Sequence, residues 1–429
     1  MDAQLERPPD HPVRLVVEDN FRRNRLTVFF RLLLAIPLFI WSFLWTVAIV
    51  VVTVINWFAA VFTGTTVAAL HNFVCRYIRF QTHFSAYLTL AANPYPGFVG
   101  EEDTYPIEVR LPAPEPQRRL VTVFRIILAL PALFVAGSLG GLGRGSVSVS
   151  KNRSGASGGA GGVLTVVTAV LGWFASVATG RMPQGLRDAG AYSVGYSAQT
   201  LAYVLLVTAR YPNSDPVQLL ESVERPPLHP VHLVGDAHDL RRSRVLVFFR
   251  LPLAVPHFVW MILWGIAVYV VVFINWFVLL FTGRPAEAFH RFVSRYVHYV
   301  THVYAFAFLV ANPFPGFVGE PGTYPLDVDL PGPGVQNRWV TGFRVILAIP
   351  AALVSWALFS VLLVAAVLTW FHALARGTAP WGLRNLSAYA VRYQSQYSAY
   401  TLLLTDRYPH SSPLEGSEPS QQQFDLEPA

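Results

Sequence analysis

The chain has 429 residues, 53% of them hydrophobic and only 13% charged, and a net charge of +7. Soluble domains carry about a quarter charged residues, so this composition excludes an ordinary soluble enzyme or binding module and points to a membrane protein. The basic residues, nearly all arginine, flank apolar runs; they read as topology signals and contacts to anionic lipid headgroups, with no nucleic acid among the partners. The lone Cys75 excludes an intramolecular disulfide and a cysteine-based metal site, and no cleavable signal peptide is expected.

Read in order, the chain repeats itself. Glu6-Arg7-Pro8-Pro9 returns as Glu224-Arg225-Pro226-Pro227, and Ile55-Asn56-Trp57-Phe58 returns as Ile274-Asn275-Trp276-Phe277. Each half is double again. Arg31, Arg125, Arg250 and Arg344 each precede a proline by six residues, and Trp57, Trp173, Trp276 and Trp370 each precede a glycine by seven. The expected organisation is four repeats, 1–103, 104–216, 217–322 and 323–410, with an acidic disordered tail at 411–429.

Each repeat begins with a short alternating segment bounded by proline, such as Pro12–Val17 and Tyr105–Leu111, which reads as a β-strand. Four of them predict a small sheet on one side of the membrane. Next comes a long apolar stretch, 29–64 in the first repeat, too long for one simple crossing of about 30 Å. In the second repeat this stretch is interrupted by a Gly/Ser-rich insertion at 137–162, which lengthens the Pro-to-Trp spacing from 20 residues to 42. A polar loop cannot face lipid at mid-bilayer, so the insertion predicts a helical hairpin whose tip, near Leu44–Thr46 in the first repeat, reaches the membrane surface. The rival is an interfacial helix up to Pro37 followed by one crossing to Phe62.

An amphipathic helix follows in each repeat, at 68–92, 184–208, 287–311 and 381–405, its phase clearest in Tyr389, Tyr393, Tyr397 and Tyr400. The expected fold is therefore an all-α polytopic membrane protein with small β-strand elements. It is a four-fold repeat of strand, helical hairpin and amphipathic helix, with about eight crossings. Arginines preceding each apolar stretch place the strands and both termini in the cytoplasm as a β-cap.

Four arginines, Arg31, Arg125, Arg250 and Arg344, lie inside the apolar stretches, where charge is costly and no acid is at hand to pair. They either snorkel to the interface or hold a phosphate of an anionic headgroup or other anion. His298 and His302 have a ligand spacing, but the matching pair in the first repeat is Arg79 and His83 and no carboxylate is visible to complete a set. No metal, no cofactor, no phosphate loop and no catalytic constellation is expected.

The combined pattern is Phe343-Arg344, Pro350, Trp370-Phe371, Gly377, Gly382-Leu383-Arg384, Tyr400 and Thr405-Asp406-Arg407-Tyr408-Pro409 in the fourth repeat. It resembles the DUF4389 family of bacterial membrane proteins, in an actinobacterial-type form doubled to four units. The resemblance implies a bacterial cell membrane location and carries no assigned activity and no recognised catalytic residues. The expected function is a non-enzymatic scaffold or lipid-interacting assembly, self-associating or bound to another protein, with a transporter or channel as the alternative.

Overall fold

The computed structural model describes residues 10–140, 162–235 and 239–416. The first repeat holds β1 (Arg14–Val17), two short helices α1 (Arg25–Phe29) and α2 (Arg31–Leu34), then α3 (Ile36–Thr63) and α4 (Ala68–Leu88). The second holds β2 (Ile107–Arg110), α5 (Arg119–Val123), α6 (Arg125–Leu139), α7 (Val163–Thr179) and α8 (Gln184–Val204), followed by α9 (Pro216–Leu219) and β3 (Leu220–Glu221). The third runs β4 (His232–Val234), α10 (Arg244–Phe248), α11 (Arg250–Thr282) and α12 (Glu287–Ala307). The fourth runs β5 (Asp327–Asp329), α13 (Arg338–Gly342), α14 (Arg344–Arg376) and α15 (Trp381–Thr401). The chain divides into two compact bodies, Pro9–Arg225 with Ser412–Leu414, and Pro226–Ser411.

The expected hairpin does not form. Leu44–Thr46 sits in mid-helix in α3, and α11 and α14 are each 33 residues without a break. Nothing at Leu44-Trp45-Thr46 stops a helix; the first residue that does is Gly64, left-handed at φ 83°. The insertion misled because it interrupts the rod without turning it. The N–H of Gly162 donates to Gly137 O at 2.6 Å, and a methyl built on Gly140 would lie 2.5 Å from the Cα of Gly162. Thus α6 and α7 abut end to end and pack together on α8 as one rod. Residues 141–161, on which the flexible hairpin tip was placed, lie outside the described residues.

Among the described residues, three helices are long and apolar enough to cross a membrane, Arg31–Thr63, Arg250–Thr282 and Arg344–Arg376. The expected eight crossings needed either two limbs per stretch or a crossing amphipathic helix. The first is absent. None of the amphipathic helices is among those three, and α8 buries residues on every side, including Asp188 and Gln199.

Repeats interlock in pairs. Trp57 donates its indole N–H to Thr122 O and Trp173 to Val28 O, at 2.9 and 3.0 Å; Trp276 and Trp370 do the same to Thr341 O and Val247 O. The start of each rod therefore lies beside the end of its partner, and the two rods of a body run antiparallel. The arginines that precede the rods serve this junction: Arg244 donates to Ala375 O at 3.1 Å near the end of α14, and the Nε of Arg119 lies beside Gly64 at the end of α3. A cation at a helix C-terminus meets its orphan carbonyls and the negative end of its dipole.

The strands do not form one sheet. β1 pairs antiparallel with β2 (Arg14↔Arg110, Val17↔Ile107) and parallel with β3, while β4 pairs antiparallel with β5. Within each body the layers are rods, middle helices and sheet. α3 packs on α4, α6 and α7 pack on α8, α4 packs on α8 and on β2, and α8 packs on β1. In the second body Val268 of α11, Val293 and Val297 of α12, Val231 and Val328 share one core.

The sheet is not a cap at the rod ends. Ser42 and Thr46 of α3 bond Gln81 and Tyr77, so mid-rod faces mid-α4. The β2 segment runs back along the same helix: Glu108 meets His83, Pro112 O meets His71, and the N–H of Gln117 reaches Gly64 O. The expected disordered tail also starts too early, since Ser411, Ser412, Pro413 and Leu414 are buried. Its remainder, 417–429, lies outside the described residues.

Candidate functional site

Two kinds of polar centre lie under the apolar rods. The first is built on the end of each middle helix. These helices start where expected, at 68, 184, 287 and 381, and end four residues early, at 88, 204, 307 and 401. Each is followed two residues later by a leucine, Leu90, Leu206, Leu309 or Leu403, in the left-handed region at φ 60–67°. A leucine there costs about 1–2 kcal/mol. Its burial, as for Leu90 against Val28 and Met182, returns about as much. The turn leaves carbonyls pointing out of the helix end, and these are what the rod arginines bind.

Arg31 donates to Ala92 O and Asn93 O at 3.1 and 3.0 Å, and its guanidinium carbon sits 4.1 Å from the Tyr87 ring centroid. Arg250 repeats this with Ala311 O, Asn312 O and Phe306. Arg125 donates to Tyr203 O, Thr208 O and Gln117 Oε1. Arg344 donates to Tyr400 O, Thr405 O and Gln336 Oε1. The four are 1–3% exposed. Each binds carbonyls of its own repeat, and no two of them share a hydrogen-bond partner. Carbonyl dipoles at a helix end replace the acid that the sequence lacks.

The odd repeats differ in one respect. Where the even ones carry Gln117 and Gln336, they carry Arg23 and Arg242, which donate to Leu90 O and Leu309 O. Nε is buried without a hydrogen-bond partner in all four rod arginines, and in the odd repeats Nη1 of Arg31 and Arg250 is so as well.

The second centre lies between the middle helix and the strand. His298 and His302, one turn apart on α12, direct Nδ1 and Nε2 to the same Asp327 oxygen at 2.7 and 2.8 Å. Asp327 also accepts from the N–H groups of Val328 and Gly322. Burial alone would raise its carboxyl, but hydrogen bonds from His298 and His302, with that from Gly322, hold it below the usual carboxylate range. In the first body the matching residues are Arg79, His83 and Glu108, with Arg79 Nε 3.5 Å and His83 Nε2 3.1 Å from the carboxylate. The rings of His83 and His302 stack alike on Tyr105 and Tyr324.

Sequence reasoning found the two histidines but not the acid. Strand alternation sends Asp327 to the face opposite Leu326 and Val328, which reads as solvent, whereas α12 covers that face too. The signal to use was the paired acids Glu108 and Asp327, at one strand position in two repeats that both follow a histidine-bearing helix.

A third polar cluster sits at the chain's return after α15. His410, whose backbone N–H donates to Gln396 Oε1, is pushed down to about 4 by burial and by the neighbouring charges of Arg392 and His229. Its folded pKa lies below the unfolded value of about 6.5, so acidification favours the unfolded chain. Through His410, stability is unaffected well above pH 6.5 and is expected to fall by about 2 kcal/mol between pH 7 and 5. Thermal melts across that window check this: His410→Asn is expected to reduce the fall by about 2 kcal/mol, while the other burial-depressed histidines, His229 among them, keep a remaining slope.

A family model, "Domain of unknown function (DUF4389)", matches residues 25–100, 158–214, 244–318 and 338–412. No curated protein and no solved structure matches the chain. Three of the matched segments begin near a rod start, the second begins at 158, just before α7, and all four end just past the carbonyl turns.

Proposed function

The chain belongs to the DUF4389 family, and we propose that it is a non-enzymatic membrane protein whose rods lie along one leaflet, apolar faces in the lipid and sheet layer in water. The observation that carries this is the level of the charged residues. Arg110, 69% exposed, lies between Glu108 and Pro112, opposite the middle of α4 and hence of α3. The exposed Glu101, Glu102 and Asp103 follow Phe98 and Val99 directly, and Glu102 pairs with Arg79 halfway along α4. With the rod upright in a bilayer these charges would stand near mid-depth, where a charge costs at least about 2.5–3.5 kcal/mol. With the rod flat they face water, and the boundary passes at Gly100.

Two further features support the flat reading. The polar insertion of repeat two leaves from the middle of its rod, which a lipid-facing crossing helix does not tolerate. Apolar residues are also exposed along whole rods, from Leu26 to Phe62 in the first repeat. That is about 55 Å, nearly twice the hydrocarbon core.

Anionic headgroups are the proposed partner, met by the exposed Arg22, Arg25, Arg118, Arg119, Arg241, Arg244 and Arg338 at the rod ends rather than by the four buried arginines. The leaflet proposed is the cytoplasmic one of the cell membrane, with both termini on that side.

Nitroxide labels at Leu32, Phe43 and Val54 test the orientation. They are 73%, 68% and 50% exposed, and spaced eleven residues apart on one helical face. In reconstituted vesicles, collision with oxygen against a water-soluble relaxant is expected to report one shallow depth for all three. A depth that changes steadily or peaks at Phe43 would instead mean a crossing rod, and with it the transporter or channel alternative.

A further inference from the structure

We propose that His298, His302 and Asp327 form a binding site for one divalent transition-metal ion of the zinc class. Their ligand atoms lie within 4.8 Å of one another, and all three residues are buried. Two imidazole nitrogens and one carboxylate oxygen, with no second acid among them, suit zinc, cobalt or nickel rather than calcium or magnesium. Tetrahedral ligation at about 2.0–2.1 Å needs donor atoms about 3.3 Å apart. The two N···O separations of 2.7 and 2.8 Å need to open by about half an ångström, within reach of small side-chain rotations.

The hydrogen-bond accounting favours a cation over a bare network. Oδ1 of Asp327 has two lone pairs in plane, yet three donors converge on it: His298 Nδ1, His302 Nε2 and the Val328 N–H at 2.8 Å. With a metal ion between them, the two imidazole nitrogens present lone pairs to the ion. Oδ1 then serves the metal and Val328, while Oδ2 keeps the Gly322 N–H. The Gly322 and Val328 bonds would act as the outer support that orients a ligating carboxylate.

The same chain contains the comparison that sharpens this. In the first body the place of His298 is taken by Arg79, whose guanidinium spans Glu108 and Glu102, at 3.5 and 2.9 Å. A covalently attached cation already neutralises that carboxylate. In the second body the arginine is a histidine, the glutamate is an aspartate, and the position matching Glu102 is Pro321. The built-in cation is gone while the carboxylate and the stacked histidine remain. Every residue used lies in Pro226–Ser411, so the site stands whether or not the rods lie flat.

The test uses tag-free, full-length protein in detergent, stripped with a chelator and dialysed against zinc(II), with cobalt(II) as the spectroscopic probe. The wild type is expected to bind one equivalent of zinc per chain and to give the visible absorption of tetrahedral or five-coordinate cobalt. The double variant His298→Arg with Asp327→Glu rebuilds the set of the first body and is expected to fold while binding zinc at least about 100-fold more weakly. Should that variant fail to fold, Asp327→Asn, which keeps shape but loses the anionic ligand, is expected to weaken binding at least about tenfold. Zinc content in the wild type no higher than in the folded variant, or no cobalt spectrum, overturns the proposal.

Discussion

Gly319→Ala and Gly100→Ala are each expected to destabilise their body by about 3 kcal/mol or more. Both glycines are left-handed, at φ 65° and 64°. A methyl on Gly319 would lie 2.1 Å from Arg295 O and 2.8 Å from Tyr299 Cβ; on Gly100 it would lie 2.1 Å from Arg76 O and 2.8 Å from Phe80 N. The left-handed backbone alone costs alanine about 1–2 kcal/mol. The clash is with helix backbone, which cannot rotate away, so the loop must lift off α4 or α12. That loop carries Phe98 and Val99, or Phe317 and Val318, toward the rod side, and Trp41 and Trp260 hold it through their indole N–H groups at 2.7 and 3.0 Å. Melting in detergent should drop by roughly 6–12 °C per substitution. Gly97→Ala, where nothing lies within 4 Å of the new methyl, is the control and should be near neutral. A neutral Gly319→Ala would mean that the loop does not sit against α12.

The second large effect is expected at the arginine turns, and it should split the repeats into two classes. Arg344→Met removes the donors to Tyr400 O, Thr405 O and Gln336 Oε1, three charge-assisted bonds to buried acceptors, of which Tyr400 O keeps only the long bond from the Leu403 N–H. The expected cost is about 3–4 kcal/mol, and Arg125→Met should match it. Arg250→Met loses only the bonds to Ala311 O and Asn312 O, and it relieves two buried donors that have no partner, Nε and Nη1, where Arg344→Met relieves only Nε. About 2 kcal/mol is expected there. Lysine should rescue neither class well, because one ammonium cannot span carbonyls that a planar fork reaches together. Melts of the four single variants give the ordering. Equal, small effects at all four would mean that the guanidinium groups face lipid headgroups and not the helix ends.

Much of this was readable in the residues. The four repeats, the strand at the head of each, the start of every middle helix and the importance of the six-residue Arg–Pro spacing all follow from local pattern. The misread hairpin has one cause. Residues 137–162 say that the rod tolerates a polar excursion near its middle, and that observation fits two geometries, a turn or a side branch. Only the Gly140–Gly162 junction, with its N–H bond to Gly137 O, decides for the branch. In the same way the arginines lacked an acid partner in sequence, because their partners are backbone carbonyls and backbone carbonyls leave no trace in residue identity.

Hydropathy and periodicity depend on neighbours a few residues apart, so the sequence by itself determined the apolar stretches, the starts of the middle helices, the strands and their four-fold repetition, but not whether a stretch folds as a hairpin or a rod. Among the described residues, three of the resulting helices are long and apolar enough to cross a membrane. Tertiary structure decided everything that depends on residues distant in the chain. It decided that rods pair antiparallel through Trp57 and Trp173, and that the sheet runs along the middle helices instead of capping them. It also decided that Asp327 meets histidines 25 and 29 residues away. The level of Arg110 beside mid-rod is of that second kind, and on it turns the choice between a rod that crosses the bilayer and one that lies in it.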